Sequence, residues 1–355
     1  MINFTVGPVD SFENSLLISK QSSPYFRTPE FSKLMLESEQ LMLKFLNAPE
    51  NSRCVFLTSS GTGAMESCVM NILNNDDKVI VINGGSFGQR FAELCNLHKR
   101  DYSEVICEFG SQIKKEQLGE YAEKGYTALL VNMHETSSGV LYDMEMISEF
   151  CKKNHIMLIV DAISSFLSDE LDMEKFGAAA VITGSQKALA VHPGVSIVAL
   201  APEALKRVEQ NTEVCMYLSL KQALKNMERG QTPFTPAVSI LLQINDRLKR
   251  IDRDGGVINE RKRISDLAKY FRSRIDEYPF DYVNNCSSNT VTALYCNNAG
   301  EIVRLLKDEF GIWVCPNGGS LSDKMFRVGH IGNLTTDDYD KLFEAFDDMK
   351  KRGIL

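Results

Sequence analysis

Short apolar runs separated by polar, helically spaced stretches recur along most of this chain. RCVFLT, KVIVI, SEVICEF, ALLVNM, IMLIV, the run Ala178 to Ile182 and VSIVALAP each read as a strand closed by turn residues. Between them MESCVMNIL, KKEQLGEYAEK and MEMISEFCKKN carry helical spacing. Strand and helix alternate from about residue 50 to 200, which predicts a mostly parallel α/β sheet covered on both sides. Ahead of it, Thr28 before Pro29 predicts a helix start, with Phe31, Leu34, Leu36, Leu41 and Leu43 as its apolar face. Beyond it, Pro202 to Asn226 reads as helical, and GQTPFTP turns the chain into a long amphipathic helix. The last hundred residues predict a smaller α+β unit: a helix from Asn259 to Tyr278, strand TVTALYC, helix EIVRLLKDEF, strands IWVC and FRVG, and a closing helix. The expected division is 1–255 and 256–355.

Composition narrows the picture. A chain of 355 residues, 44% hydrophobic and 24% charged, is long enough to bury a large core and form two domains. A net charge of -8 with no dense Lys/Arg run argues against nucleic acid or an anionic membrane as partner. No apolar run approaches the roughly 20 residues of a membrane span, and MINFTVGPV lacks a signal-peptide layout, so a cytoplasmic location is expected. Nine scattered cysteines without CxxC spacing, and five dispersed histidines, predict neither a disulfide framework nor a metal site.

Candidate chemistry gathers where apolar runs end. Lys187 follows the run from Ala178 through Thr183, Gly184, Ser185 and Gln186, and Asp161 closes IMLIVD. A lysine and an acid at two strand ends are what a pyridoxal phosphate site needs: an amine to bond the cofactor's aldehyde and a carboxylate for its pyridinium nitrogen. An ordinary surface lysine opening a helix, and an aspartate at a turn, are the plainer alternatives. RCVFLT followed by SSGTG and a helix brings free backbone N–H groups to a helix start, where Ser60, Gly61 and Thr62 suit a phosphate. The same pattern also fits a plain strand-to-helix connection. It is neither a dinucleotide fingerprint nor a P-loop.

TGSQKALAVHPG, IVDAISSF, HETSSG, SSGTG and FRVGHIG, in this order, resemble the class V aminotransferases of fold type I. That group includes alanine-glyoxylate, serine-pyruvate and 2-aminoethylphosphonate transaminases. The likeness runs from TVGPV to FRVGHIG. It implies a large domain with a sheet of the seven-stranded type and a small C-terminal domain. It also implies Lys187 as the residue that carries pyridoxal 5'-phosphate and moves the substrate proton, with Asp161 keeping the ring nitrogen protonated. Phe87 would stack on the cofactor ring. Ser137, with Thr136 as the alternative, would meet the ring hydroxyl side, and Gln186 the phosphate. Thr235 would reach the phosphate of a neighbouring subunit's cofactor, which implies a homodimer with shared sites; a helix N-cap is the plainer role. Gly7 would lie over the site mouth, Arg27 near the substrate entrance or in a surface ion pair, and Arg327 on the acid group of donor and acceptor. His134 is expected to be a satisfied structural histidine rather than a base. Cys315 is expected to be a packing residue rather than the nucleophile of a cysteine desulfurase. The expected activity moves an amino group from a small amine donor to a keto acid, first 2-aminoethylphosphonate to pyruvate. An alanine or serine transaminase using glyoxylate or pyruvate is the alternative, and a desulfurase-type lyase the more distant one.

Overall fold

The computed structural model describes residues 1–355. Its strands are β1 (Ile2–Phe4), β2 (Arg53–Leu57), β3 (Lys78–Asn83), β4 (Asp101–Ile106), β5 (Ala128–Asn132), β6 (His134–Glu135), β7 (Val140–Leu141), β8 (Met157–Asp161), β9 (Ala178–Gly184), β10 (Ser196–Leu200), β11 (Asp281–Tyr282), β12 (Val291–Tyr295), β13 (Ile312–Pro316) and β14 (Met325–Gly329). Seven form one sheet in the order β2-β10-β9-β8-β5-β3-β4. Only β10 runs antiparallel to its neighbours. Strands β5, β8, β9 and β10 are buried at every residue, which is why they read as unbroken apolar runs. In register, Asn132 lies beside Asp161 and Asp161 beside Ile182. The carboxyl ends of β5, β8 and β9 therefore bring the 133–139 loop, Asp161 and the lysine loop to one edge of the sheet, where ligands of open α/β sheets bind.

The second sheet has the order β1-β13-β14-β12-β11. Its outer member β1 comes from the start of the chain and pairs in parallel with β13, Ile2 beside Ile312. Phe4 is buried in the smaller core, so the first residues belong there and not with the segment that follows them. The helix Gly256–Ile275 spans both cores: Ile264 packs in the larger, and Leu267, Phe271 and Ile275 in the smaller. Residue 255 is therefore not where the two cores part, because a helix of 20 residues has a face long enough to serve both.

Several helices differ from expectation in ways that have local causes. The helix Pro29–Phe45 starts as expected, Thr28 accepting the N–H of Phe31 at 3.2 Å. Its buried face, however, is Phe31, Met35, Met42 and Phe45, while the leucines lie half-buried on its flanks. Flexible methionines fill the core side and leave the leucines along the rim. The stretch 202–226 breaks into the helices Pro202–Gln210 and Leu220–Met227. KKEQLGEYAEK yields only Lys115–Gly119, in which Leu118 alone is buried and little tertiary packing holds a longer helix. No helix is long and apolar enough to cross a membrane.

Candidate active site

After β9 the chain closes on itself. The N–H of Ser185 donates to the carbonyl of Val195 at 2.9 Å, and the Val195 N–H donates back to Ser185 Oγ at 3.3 Å. Lys187 therefore sits in a tight turn and opens no helix. It is buried, 8% exposed, and its Nζ donates to the carbonyl of Val6 at 2.6 Å. The next residue, Gly7, has φ 125°. A Cβ there would stand 2.7 Å from Lys187 Cδ, so the N-terminal turn can lie over the lysine only as glycine. Burial lowers the amine's pKa to about 8, with Cys315 and Asp161 opposing and Arg327 and Arg90 adding to the effect.

Asp161 ends β8. One carboxylate oxygen accepts the N–H of Ile163 at 2.8 Å, and the side chain makes no other hydrogen bond. Burial raises its pKa to about 7, against the pull of the Ile163 N–H and Lys187. A cationic ring nitrogen beside the free oxygen would pull that value back down.

At the third corner the glycine-rich stretch is itself the first turn of the helix Gly61–Asn71. Ser60 stands at its N-cap with no side-chain cap bond, and no acid lies in the first turn. The orphan N–H groups of that turn thus face an uncapped, electropositive end. Gly61 packs so closely on Ile163 that a Cβ would meet its Cδ1 at 2.3 Å, which ties this helix end to the Asp161 loop. Thr62 Oγ1 accepts from Arg90 at 3.1 Å, and the Arg90 guanidinium lies over the half-buried Phe87 ring, 4.9 Å from its centroid. Arg90 is a pocket residue that sequence reading missed. Its one signal was its place three residues after Phe87 on a helix, the spacing that puts two side chains on one face.

The loop after β5 divides its polar groups between structure and site. Glu135 is fully buried and accepts the N–H groups of Phe87 and Gly88 at 3.2 and 3.1 Å and the amide of Asn132 at 2.8 Å. It thus caps the helix Ser86–Leu97 from another element. Ser137 Oγ donates to Glu135 and accepts the N–H of Ser86. The hydroxyl expected to serve the cofactor is therefore engaged in holding that helix. Thr136 differs: its hydroxyl bonds Ser164 Oγ at 2.7 Å, and its carbonyl accepts from Arg327 at 2.9 Å.

Arg327, on β14, lies opposite Cys315 of β13. Its second terminal nitrogen donates to the carbonyl of Pro316 at 2.8 Å, and its buried Nε has no partner. A guanidinium held at two corners, with Nε–H and one further N–H on each terminal nitrogen still available, suits a planar acid group. Not every expected residue joins this group. Arg27 is exposed, and it is pinned by Gln231 and by the carbonyls of Thr232 and Pro233. Thr235 is exposed with no hydrogen bond, and the following helix starts at Val238 with Ala237 at its N-cap, so Thr235 caps nothing. Gln186 is half-buried beside Gly184, and its carbonyl accepts the N–H of Val9 at 3.4 Å.

Residues 15–322 match the family model described as aminotransferase class-V. The chain belongs to that family. The soluble hydrogenase small subunit of Synechococcus sp. is 28% identical over 92% of this chain and 86% of its own. The L-aspartate–glyoxylate aminotransferase of Paracoccus denitrificans is 27% identical over 87% of this chain and 81% of its own. The 2-aminoethylphosphonate–pyruvate transaminase of Pseudomonas putida is 27% identical, over 68% of this chain and 66% of its own. Among solved structures, an aspartate aminotransferase from Thermus thermophilus superposes with a TM-score of 0.90 at 25% identity, covering 100% of both chains.

As a class V aminotransferase the protein is a pyridoxal phosphate-dependent transaminase of fold type I. The residues present fit that cofactor: a buried amine, a carboxylate with one free oxygen, an uncapped helix start and an aromatic ring lie at the carboxyl edge of the large sheet, joined through Ile163 and Arg90. All nine cysteines are free thiols.

Proposed function

We propose that this class V aminotransferase moves an amino group from a small amino acid to a small 2-oxo acid, glyoxylate or pyruvate. The supporting observation is Arg327, a fixed guanidinium with an unpartnered Nε in the pocket of Lys187. The other arginine bearing on Lys187 is Arg90, which is occupied by Thr62 and Phe87. One free acid-binding group fits substrates with one acid group near the reacting carbon. The aspartate–glyoxylate relative covers much more of the chain than the 2-aminoethylphosphonate relative, which puts an amino acid donor and glyoxylate first, while the second acid group of an aspartate donor would need a cation beyond Arg327. The phosphonate reading stays second, since a phosphonate offers the same guanidinium a matching set of oxygens.

Bound pyridoxal phosphate would supply the aldehyde that takes the amino group and the ring that withdraws electrons. Lys187 would hold it covalently. The Lys187 amine would serve as the base that takes the proton from the donor's α carbon and as the acid that gives one to the acceptor's, a task suited to a group titrating near neutrality. Asp161 would keep the proton on the ring nitrogen. Ser60, Gly61, Thr62 and Gln186 would hold the phosphate, Phe87 would pack on the ring, and Arg327 would align the substrate's acid group. Thr235, exposed and unpartnered within its own chain, would complete the phosphate site of a second copy, so the active unit is a homodimer.

Half-reaction spectra decide the donor. Alanine or serine should convert the bound cofactor's absorbance band within seconds, and 2-aminoethylphosphonate should leave it unchanged. The opposite pattern would reverse the order of the two readings.

A further inference from the structure

His134 is 3% exposed, and neither of its ring nitrogens has a hydrogen-bond partner. The expectation of a satisfied structural histidine therefore fails. The carbonyl of Ser164 is close by, but it already accepts from Ser168 and Thr290 and lies outside hydrogen-bond geometry for the ring. On β6 successive side chains point to opposite sides. Glu135 faces the helix Ser86–Leu97, so His134 faces the other way, and Thr136, two residues on, meets Ser164 through its hydroxyl and Arg327 through its carbonyl. Lys187, Arg327 and Arg272 are the cations that bear on the imidazole.

Two buried side chains in one neighbourhood thus carry unfilled donors, His134 and the Nε of Arg327. Arg272 is engaged with Thr292, Ser288 and Val291. Burying polar atoms without partners is costly, and buried polar groups are otherwise paired. Asp161 bears on Lys187 and Asp169 on Arg272, but Arg327 meets only carbonyls, so it is around Arg327 and His134 that an anionic oxygen is lacking.

We propose that His134 is a substrate-binding residue, donating a ring N–H to the acid group that Arg327 holds. The assignment rests on the reading of this pocket as a transaminase site. Burial lowers the imidazole's pKa to about 3, with the nearby Ser164 carbonyl opposing and the three cations adding to the effect. His134 therefore stays neutral at working pH: it donates one directional hydrogen bond, adds no charge and takes no part in proton transfer.

The test uses the holoenzyme and two variants, His134→Leu and His134→Gln, with glycolate as an unreactive acid measured by calorimetry. Leucine removes the donor, and glutamine keeps an N–H at similar reach. The expected result for His134→Leu is about a tenfold loss of glycolate affinity and a similar rise in KM for the 2-oxo acid, one hydrogen bond's worth, with kcat changed less than about threefold. Glutamine should restore most of the affinity. His134→Leu should also raise the melting temperature of the cofactor-free protein, because it removes two unpartnered polar atoms, so loss of fold would not imitate loss of binding. Unchanged glycolate affinity in both variants would overturn the proposal. So would a shift in the bound cofactor's absorbance titration with glycolate affinity intact, which would assign His134 to the cofactor's ring oxygen. If wild type shows no half-reaction with any amino acid, it is the transaminase reading of the substrates that fails instead.

Discussion

Near neutral pH the two ionisable groups at the centre of the pocket pull the stability of the cofactor-free protein in opposite directions. Asp161 titrates at about 7 in the fold against 3.8 when free, so between those values the folded chain holds the extra proton and stability falls as pH rises. Lys187 titrates at about 8 against 10.5, so above 8 the unfolded chain holds the extra proton and stability rises with pH. Urea unfolding of the cofactor-free protein should show a dip between about pH 7 and 8 from this pair. Asp161→Asn should flatten the acid limb and Lys187→Met the alkaline one. A monotonic profile unaltered by either substitution would contradict the burial argument. In the loaded enzyme, Lys187→Ala should lower turnover by at least about 10³-fold with the far-UV spectrum unchanged, the loss expected when a proton-transfer group is removed. Lys187 and Asp161 were legible in sequence because each follows a long apolar run, and a charge placed there must end up at a buried strand's carboxyl end. His134 was misread because sequence shows that a histidine is present but not whether its nitrogens find partners.

The N-terminal turn and the 133–139 loop show how neighbouring elements make the pocket. Gly7→Ala would force a Cβ onto Lys187 Cδ at a φ of 125°. Turnover should fall about tenfold or more, since small misplacements of a reacting group are costly, while unfolding free energy drops by about 1–3 kcal/mol. Ser137→Ala should separate the two hydroxyls of that loop. It removes two hydrogen bonds at the start of the helix Ser86–Leu97 and should cost about 1–3 kcal/mol of stability with KM nearly unchanged. A large rise in KM without lost stability would return Ser137 to the cofactor. The start of the helix Pro29–Phe45 was readable, because Thr28 and Pro29 act locally on backbone dihedrals and N–H groups. Its buried face was not, since methionine and leucine are equally apolar and only the neighbours choose between them. The cap that Glu135 provides was equally hidden, because it comes from 47 residues away.

The pocket joins the two cores, and Arg327 makes the joint. It stands on a strand of the smaller sheet, takes the carbonyl of Pro316 on its own side and that of Thr136 across the divide. Arg327→Lys keeps the charge but loses the fork. KM for the 2-oxo acid should rise by about 10- to 100-fold, the worth of one or two charge-assisted hydrogen bonds. A change under twofold would show that the acid group binds elsewhere. Assembly is open to the same kind of test. Sedimentation should give a dimer, and Thr235→Val should weaken cofactor retention without altering either core, because Thr235 is exposed and unbonded within its own chain.

The sequence alone was enough to establish the alternation of strand and helix, the family, the cofactor and the two charged residues at strand ends. Those depend on local spacing, on burial of continuous apolar runs and on motifs short enough to be read in order. Tertiary structure alone decided that β1 crosses to the far sheet, that Arg90 enters the pocket, that Ser137 serves a helix and that the nitrogens of His134 are left unpaired. Each of these is a matter of which groups meet across tens or hundreds of residues, and hydrogen-bond satisfaction in a buried site is a property of the meeting, not of either partner.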